Sequence, residues 1–305
     1  MMKFLAVLLL LAATGFAQKI DPIALADQSK DDPRILVMDY NQKDWSRANN
    51  KSVLWSWKPS DSGINDATGW MLPNDARLRN IDGKRYMVTA SGYGLIAVVG
   101  YPDKQKKWSI NIGKASNVHG IELLPDGNVA MAASTGGWVR VYTASQARDS
   151  AKYAQFDLKD AHNVLWDPSR QVLWSLGTDK LVQLKIGGTS SAPTLTLAKT
   201  ITMPDTSGHD LEAKLGDPDT LWITTGSATW SFDKRTEKFM MLQKVSGYKS
   251  INNQVATGQR IQTRPHTSCT QNSWCTDIIE FFGPDDTRTR EMAVYRARLW
   301  REDYQ

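Results

Sequence analysis

Three of the four histidines in this chain recur at similar intervals: His119, His162 and His209, separated by 43 and 47 residues. An imidazole titrates near neutral pH, so it can take up a proton, release one or ligate a metal. Three of them meeting at one point would support one of three chemistries. They would hold water in a polar channel, because each ring both donates and accepts hydrogen bonds. They would remove a proton α to a carboxylate in the β-elimination of a uronate, with a cation on the carboxylate and a phenol protonating the leaving oxygen. As three neutral ligands they would hold Zn²⁺ or Mn²⁺.

The rest of such a site is read from the same repeat position. Asp75, Arg77 and Lys249 fall at equivalent places in flanking segments, and Tyr248 stands beside Lys249. His119, His162, His209 and Tyr248 are therefore the catalytic candidates, and Arg77, Lys249 and Asp75 the substrate-binding ones. Asp210 and Glu122 are the acidic neighbours available to orient a ring. Trp70 and Trp274 stand in loops and are assigned to stacking on a sugar. His266, in TRPHTS, is read as a surface histidine, the alternative being that it rims the same face with Arg264. The metal reading is disfavoured, because Arg77 and Lys249 would repel a cation and no H-x-H or H-x-x-x-H spacing occurs. The cofactor is otherwise unknown. No Ser-hydrolase elbow, Walker pattern or zincin motif is present.

Convergence of these residues depends on the elements that carry them. HGIELLPDGNVAMAASTGGWVRVYTA (119–144) reads as strand, Pro-Asp-Gly turn, strand, Gly-Gly turn, strand. HNVLWDPSRQVLWSLGTDKLVQLKI (162–186) and HDLEAKLGDPDTLWITTGSATWSFD (209–233) repeat the plan. A period of roughly 40–50 residues with several short strands per period marks a β-propeller. The opening residue of each copy then lines a central channel. IALADQ, RILVMDY and SVLWSWKP are strands before the second copy. DATGWMLPNDARLR (66–79) is read as a loop re-entering the channel. RIQTRP, DIIEFF and MAVYRARLW are the last strands, the final one either completing the first blade or closing the sixth. Six blades fit this count, and a seven-bladed ring or a sandwich of the same strands is the alternative. Trp108, Trp138, Trp166, Trp174, Trp222 and Trp230 fall inside strands and are assigned to the core.

Composition narrows the setting. MMKFLAVLLLLAATGFAQ has a basic n-region at Lys3, an apolar h-region and small residues before a cut after Ala17, the pattern of a secretory signal. Residues 1–17 are set apart as that signal and 18–305 as one propeller domain. The remaining chain carries 36 basic and 32 acidic residues with no basic run, which argues against nucleic acid as a partner. No second apolar stretch suggests a membrane span. Cys269 and Cys275 are the only cysteines, and an oxidising compartment would join them. Asn50-Lys51-Ser52 is a glycosylation sequon if the host is eukaryotic.

ADQSKDDPRILVMD, VHGIELLPDGNVAMAAS, DAHNVLWD, SGHDLE, YKSI and YRARLW together resemble a family of secreted bacterial and fungal proteins known as a domain of unknown function. The resemblance spans roughly residues 20–302 and implies a six-bladed β-propeller and extracellular life. It carries over no catalytic residue. The expectation is a secreted monomer that acts on or binds acidic glycans through a His-lined funnel, as a β-eliminating lyase if it is an enzyme. The alternatives are a non-catalytic glycan- or protein-binding propeller, and an isomerase or cyclase of a small secreted metabolite.

Overall fold

Short runs rich in Val, Ile, Leu, Trp and Thr, punctuated by Gly, Asp and Asn turns, favour extended backbone. The computed structural model describes residues 20–305, and the signal read over 1–17 lies outside the described residues. Strands β1 (Ile23–Asp27), β2 (Arg34–Met38) and β3 (Val53–Trp57) come first. They are followed by β4 (Pro73–Ile81), β5 (Lys84–Ser91), β6 (Leu95–Gly100) and β7 (Lys106–Asn111). Next are β8 (Val118–Leu123), β9 (Val129–Ala133), β10 (Trp138–Tyr142) and β11 (Tyr153–Asp157). Then come β12 (Asn163–Asp167), β13 (Val172–Leu176), β14 (Lys180–Thr189) and β15 (Ala192–Thr202). After these run β16 (Asp210–Ala213), β17 (Thr220–Thr224), β18 (Thr229–Asp233) and β19 (Lys238–Gln243). The last are β20 (Ser250–Asn253), β21 (Arg260–Thr263), β22 (Thr276–Phe282) and the long β23 (Asp286–Leu299).

Strands β4 to β19 form four antiparallel four-stranded sheets, and the other seven make one sheet in the order β20-β21-β22-β23-β1-β2-β3. β23 explains that larger sheet. Its first part pairs with β22, Asp286 opposite Phe281, and its last part with β1, Leu299 opposite Ile23. One strand thus serves both chain ends and hides the edges that an open sheet would expose. The inner strands β4, β8, β12, β16, β20 and the end of β23 neighbour one another in a closed circle. The fold is all-β and propeller-like, with no α-helix among the described residues. Residues 73–81 are an inner strand, so the re-entrant loop expected over 66–79 ends at Leu72. The register is bulged where β4 passes Asn74, which is the kind of kink that a local pattern does not announce.

Apolar side chains fill the gaps between successive sheets. Val88 and Val98 meet Ile121 and Met131, and Val139 meets Val164 and Leu173. Trp174 lies edge-on to Phe232 at 5.9 Å. Trp70 also belongs here: it is 2% exposed, edge-on to Trp57 at 5.1 Å, and its indole N–H donates to the Pro33 carbonyl. Its assignment to sugar stacking is therefore wrong. A loop tryptophan here plugs the space between the first two groups of strands.

The axis is filled by charge rather than left as an open tube. Arg298 bonds both Asp75 and Asp210, and Arg77 donates twice to Glu212 at 2.9 and 2.8 Å. Arg79 pairs with Glu122 at the end remote from the histidines. The C-terminal residues cover that end, with the Arg79 guanidinium over the Tyr304 ring and the Tyr304 hydroxyl donating to the Leu123 carbonyl.

Cys269 and Cys275 are joined as a disulfide, closing the loop between β21 and β22. Removing a cross-link of this short span costs about 2 kcal/mol through the freed unfolded chain. A Cys269→Ser/Cys275→Ser double variant should therefore show its urea midpoint lowered with an unchanged slope. An unaltered midpoint would mean the loop is held by packing alone.

Candidate functional site

The site begins with a backbone device used four times. Asn117, Asp160, Ser207 and Gly247 all have positive φ, at 49°, 53°, 59° and 86°. Each stands two residues before a side chain at the mouth of the axis: His119, His162, His209 and Lys249. Gly pays little for this conformation, and Asn and Asp tolerate it better than most residues. The left-handed residue turns the chain from the preceding outer strand into the inner strand. At His119 the β8–β9 register is also bulged, Val118 lying opposite Ala133 and Gly120 opposite Ala132, which re-aims the intervening side chain. Gly120 is required because β12 passes against it: a Cβ there would sit 2.5 Å from the Asn163 Cα. That close approach brings His119 and His162 side by side.

The three imidazoles meet as the repeat predicts. The His119 and His162 ring centres are 4.5 Å apart, and those of His162 and His209 5.1 Å. The His162 Nδ1 faces the Asp160 carbonyl at 3.0 Å and the Asp160 carboxylate at 3.2 Å. A carbonyl only accepts, so this nitrogen carries a proton, and Nδ1 is the ring position fixed by Asp160. The Lys249 Nζ lies 3.2 Å from the His209 Nε2, and the Tyr295 hydroxyl 3.0 Å from the His119 Nδ1. Behind them the Arg296 guanidinium, wholly buried, donates to the backbone carbonyls of His119, His162, His209 and Lys249. One side chain therefore ties together the four strands that present the site.

Burial and this guanidinium set the protonation states. Burial pushes the His119 ring well below its usual range, helped by His162 and Arg296, and holds His209 at about 3, with Lys249 contributing. Burial, then Arg296, lowers the Lys249 ammonium to about 8. Burial raises the Tyr295 phenol to about 12. The bond from His162 keeps the Asp160 carboxyl below the usual carboxylate range. At neutral pH the mouth then holds neutral His119 and His209, a proton-bearing phenol and an ammonium that titrates just above neutrality.

Several expected site residues are framework instead. Arg77 is 3% exposed and committed to Glu212, so it cannot reach a substrate carboxylate. Asp75 is wholly buried beneath Arg298 and Arg296. Tyr248 is 1% exposed and turned away, with Arg264 over its ring, and Tyr295 occupies the place by the histidines. Asp210 and Glu122 orient arginines rather than imidazoles; Asp160 does that work for His162. Trp274 is 38% exposed on the disulfide loop, its N–H donating to Gln28, which in turn bonds Asn74 near the mouth. His266 is exposed and bonded to Ser268. Asn50 is exposed at the start of a short turn.

Among the described residues no group of three or more His, Cys, Asp or Glu is arranged to hold a metal ion. One ring nitrogen of each of His119, His162 and His209 is engaged, by Tyr295, Asp160 and Lys249 respectively. A cavity of about 690 Å³ lies apart from the mouth beside Trp222, Lys214 and Arg260, with no imidazole in its lining.

Comparison with solved structures gives likeness of fold at low identity. A protein of unknown function from Bacteroides caccae superposes with a TM-score of 0.55 at 8% identity, over 93% of this chain and all of that one. A functionally unknown protein from Desulfotomaculum acetoxidans gives 0.54 at 12% identity, over 93% and 90% of the two chains. A catalytically inactive virginiamycin B lyase from Staphylococcus aureus, solved with quinupristin, gives 0.53 at 11% identity, over 90% and 84%. No curated protein matches the sequence. A family model matches residues 13–302, nearly the whole length, and on that match the chain belongs to the family of unknown function DUF6528.

Proposed function

We propose that this protein is a β-eliminating lyase of acidic glycans, secreted as a monomer and working at the histidine mouth. The observation that carries this reading is the trio His162, Lys249 and Tyr295: an imidazole oriented by Asp160, an ammonium with no carboxylate partner among the described residues, and a phenol. Elimination needs those three functions. Lys249 pairs with the uronate carboxylate and makes the adjacent C–H more acidic. The His162 Nε2 takes that proton. The electron pair forms the C=C bond, the glycosidic C–O bond at the β carbon breaks, and Tyr295 protonates the departing oxygen. His119, bonded to Tyr295 and next to His162, offers a path for the proton back to the phenol. Trp274 at the rim supplies a face for a sugar ring.

We count six blades in this scaffold, taking the seven-stranded sheet as two blades that share β23. The virginiamycin B lyase above is named as a lyase on a similar fold; at 11% identity its fold alone is comparable, so the reading rests on the side chains here.

The test is incubation of the purified protein with a panel of uronate polymers, both galacturonate- and glucuronate-based, while following the ultraviolet absorbance of a C=C bond conjugated to a carboxylate. Rising absorbance and unsaturated oligosaccharides are expected with at least one polymer. Saturable binding without any unsaturated product would reassign the mouth to recognition.

A further inference from the structure

Lys249 is unusual among the lysines because of where its amine is held. It is partly buried, its backbone carbonyl accepts from Arg296, and no carboxylate among the described residues pairs with its Nζ. The group within reach is the His209 Nε2 at 3.2 Å. An ammonium beside a fixed guanidinium, withdrawn from water and without a counter-ion, loses its proton more easily. Enzymes activate lysine as a nucleophile by such desolvation and cationic neighbours. The groups facing it are Arg296, His209, His119, His162 beyond them and, through that ring, Asp160.

We infer that Lys249 is a nucleophilic amine that condenses with small aldehydes entering the mouth, an activity separate from the elimination. The Nζ lone pair adds to the carbonyl carbon, and a proton passes from nitrogen to oxygen by way of His209. Loss of water from the carbinolamine leaves an imine between Lys249 and the aldehyde carbon. His209 suits the transfer because its ring, held neutral by burial, accepts at Nε2 when the amine is protonated. With the amine lowered from 10.5 to about 8, about a tenth of it is free at pH 7, against well under a thousandth for an ordinary lysine.

The probe is glyoxylate with cyanoborohydride, which donates a hydride to the imine carbon and fixes it as a secondary amine. The protein is treated at pH 7, checked for intact fold by circular dichroism, digested and mapped by mass spectrometry. Lys249 should be modified at least about tenfold faster than exposed lysines such as Lys43 and Lys238, and the preference should fade by pH 10. Modification spread over exposed lysines with Lys249 spared overturns the inference. Lys249→Arg cannot form an imine and should lose the label at this position, whatever its effect on polymer cleavage. If no polymer is cleaved by the native protein and Lys249 still labels, the lyase reading fails and this one stands.

Discussion

Replacing Arg298 with methionine should destabilise the fold by about 3–5 kcal/mol at neutral pH, the usual cost of removing one partner from a buried ion network. Arg298 is 3% exposed and donates to Asp75 and Asp210, both wholly buried, so its loss strands two carboxylates inside the ring. Burial alone would push the Asp75 carboxyl up; Arg298, Arg77 and Arg296 outweigh it and hold the group at about 2 against an ordinary 3.8. The sign follows from that lowering. The contribution of Asp75 is fully present above pH about 4 and is lost as pH falls towards 2. In the variant both carboxylates lose their main counter-charge, and protonation relieves them. The gap between native and variant proteins in urea denaturation should therefore be widest at pH 7 and narrow by pH 4. A gap of constant size across that range would mean that Arg298 acts by packing and not by charge. An Arg298→Met/Asp210→Asn double variant should recover part of the loss, because it removes one stranded charge.

The same network shows why part of the site was legible in the sequence and part was not. The repeat of His119, His162 and His209 was visible because each opens a copy of one strand-turn-strand pattern, and equivalent positions in a closed ring must converge. The chemistry of Asp75 and Arg77 was misjudged because a repeat position says which residues reach the axis but not at what depth. An acid and a base two residues apart on one inner strand met Arg298 and Glu212 from other strands and were neutralised below the mouth. Tyr295, Arg296 and Arg298 lie in the last strand, YRARLW, which read as a closing element. Their role depends on β23 pairing with β1, nearly the whole chain length away, and no local pattern encodes that contact. A signal was nevertheless present: two arginines alternate with alanine inside an otherwise buried strand, which is too costly unless partners wait on the same face. Asp160 carried a signal as well. Asn, Asp, Ser and Gly stand two residues ahead of the four mouth residues, and these residue types mark a left-handed turn.

Replacing His162 with alanine should lower the elimination rate about 10²–10⁴-fold, the range for removing a general base, while leaving glycan affinity close to native. The base is assigned by geometry: Nδ1 is taken up by the Asp160 carbonyl and carboxylate, which leaves Nε2 as the ring nitrogen to serve a substrate. Asp160→Asn should then cost less, about 10–100-fold, since it loosens the ring without removing it. The pH profile supplies an independent check through Lys249. The ammonium must be charged to pair with the uronate, so kcat/KM should fall as pH rises through about 8. Lys249→Arg should retain activity and carry that falling limb to higher pH, because a guanidinium stays protonated. If His162→Ala is inactive yet Lys249→Arg leaves the limb in place, the titrating group is elsewhere, and Tyr295, at about 12, is too high to supply it. If His162→Ala keeps native turnover, the imidazoles only hold the mouth together, and the proton is taken by a residue outside this cluster.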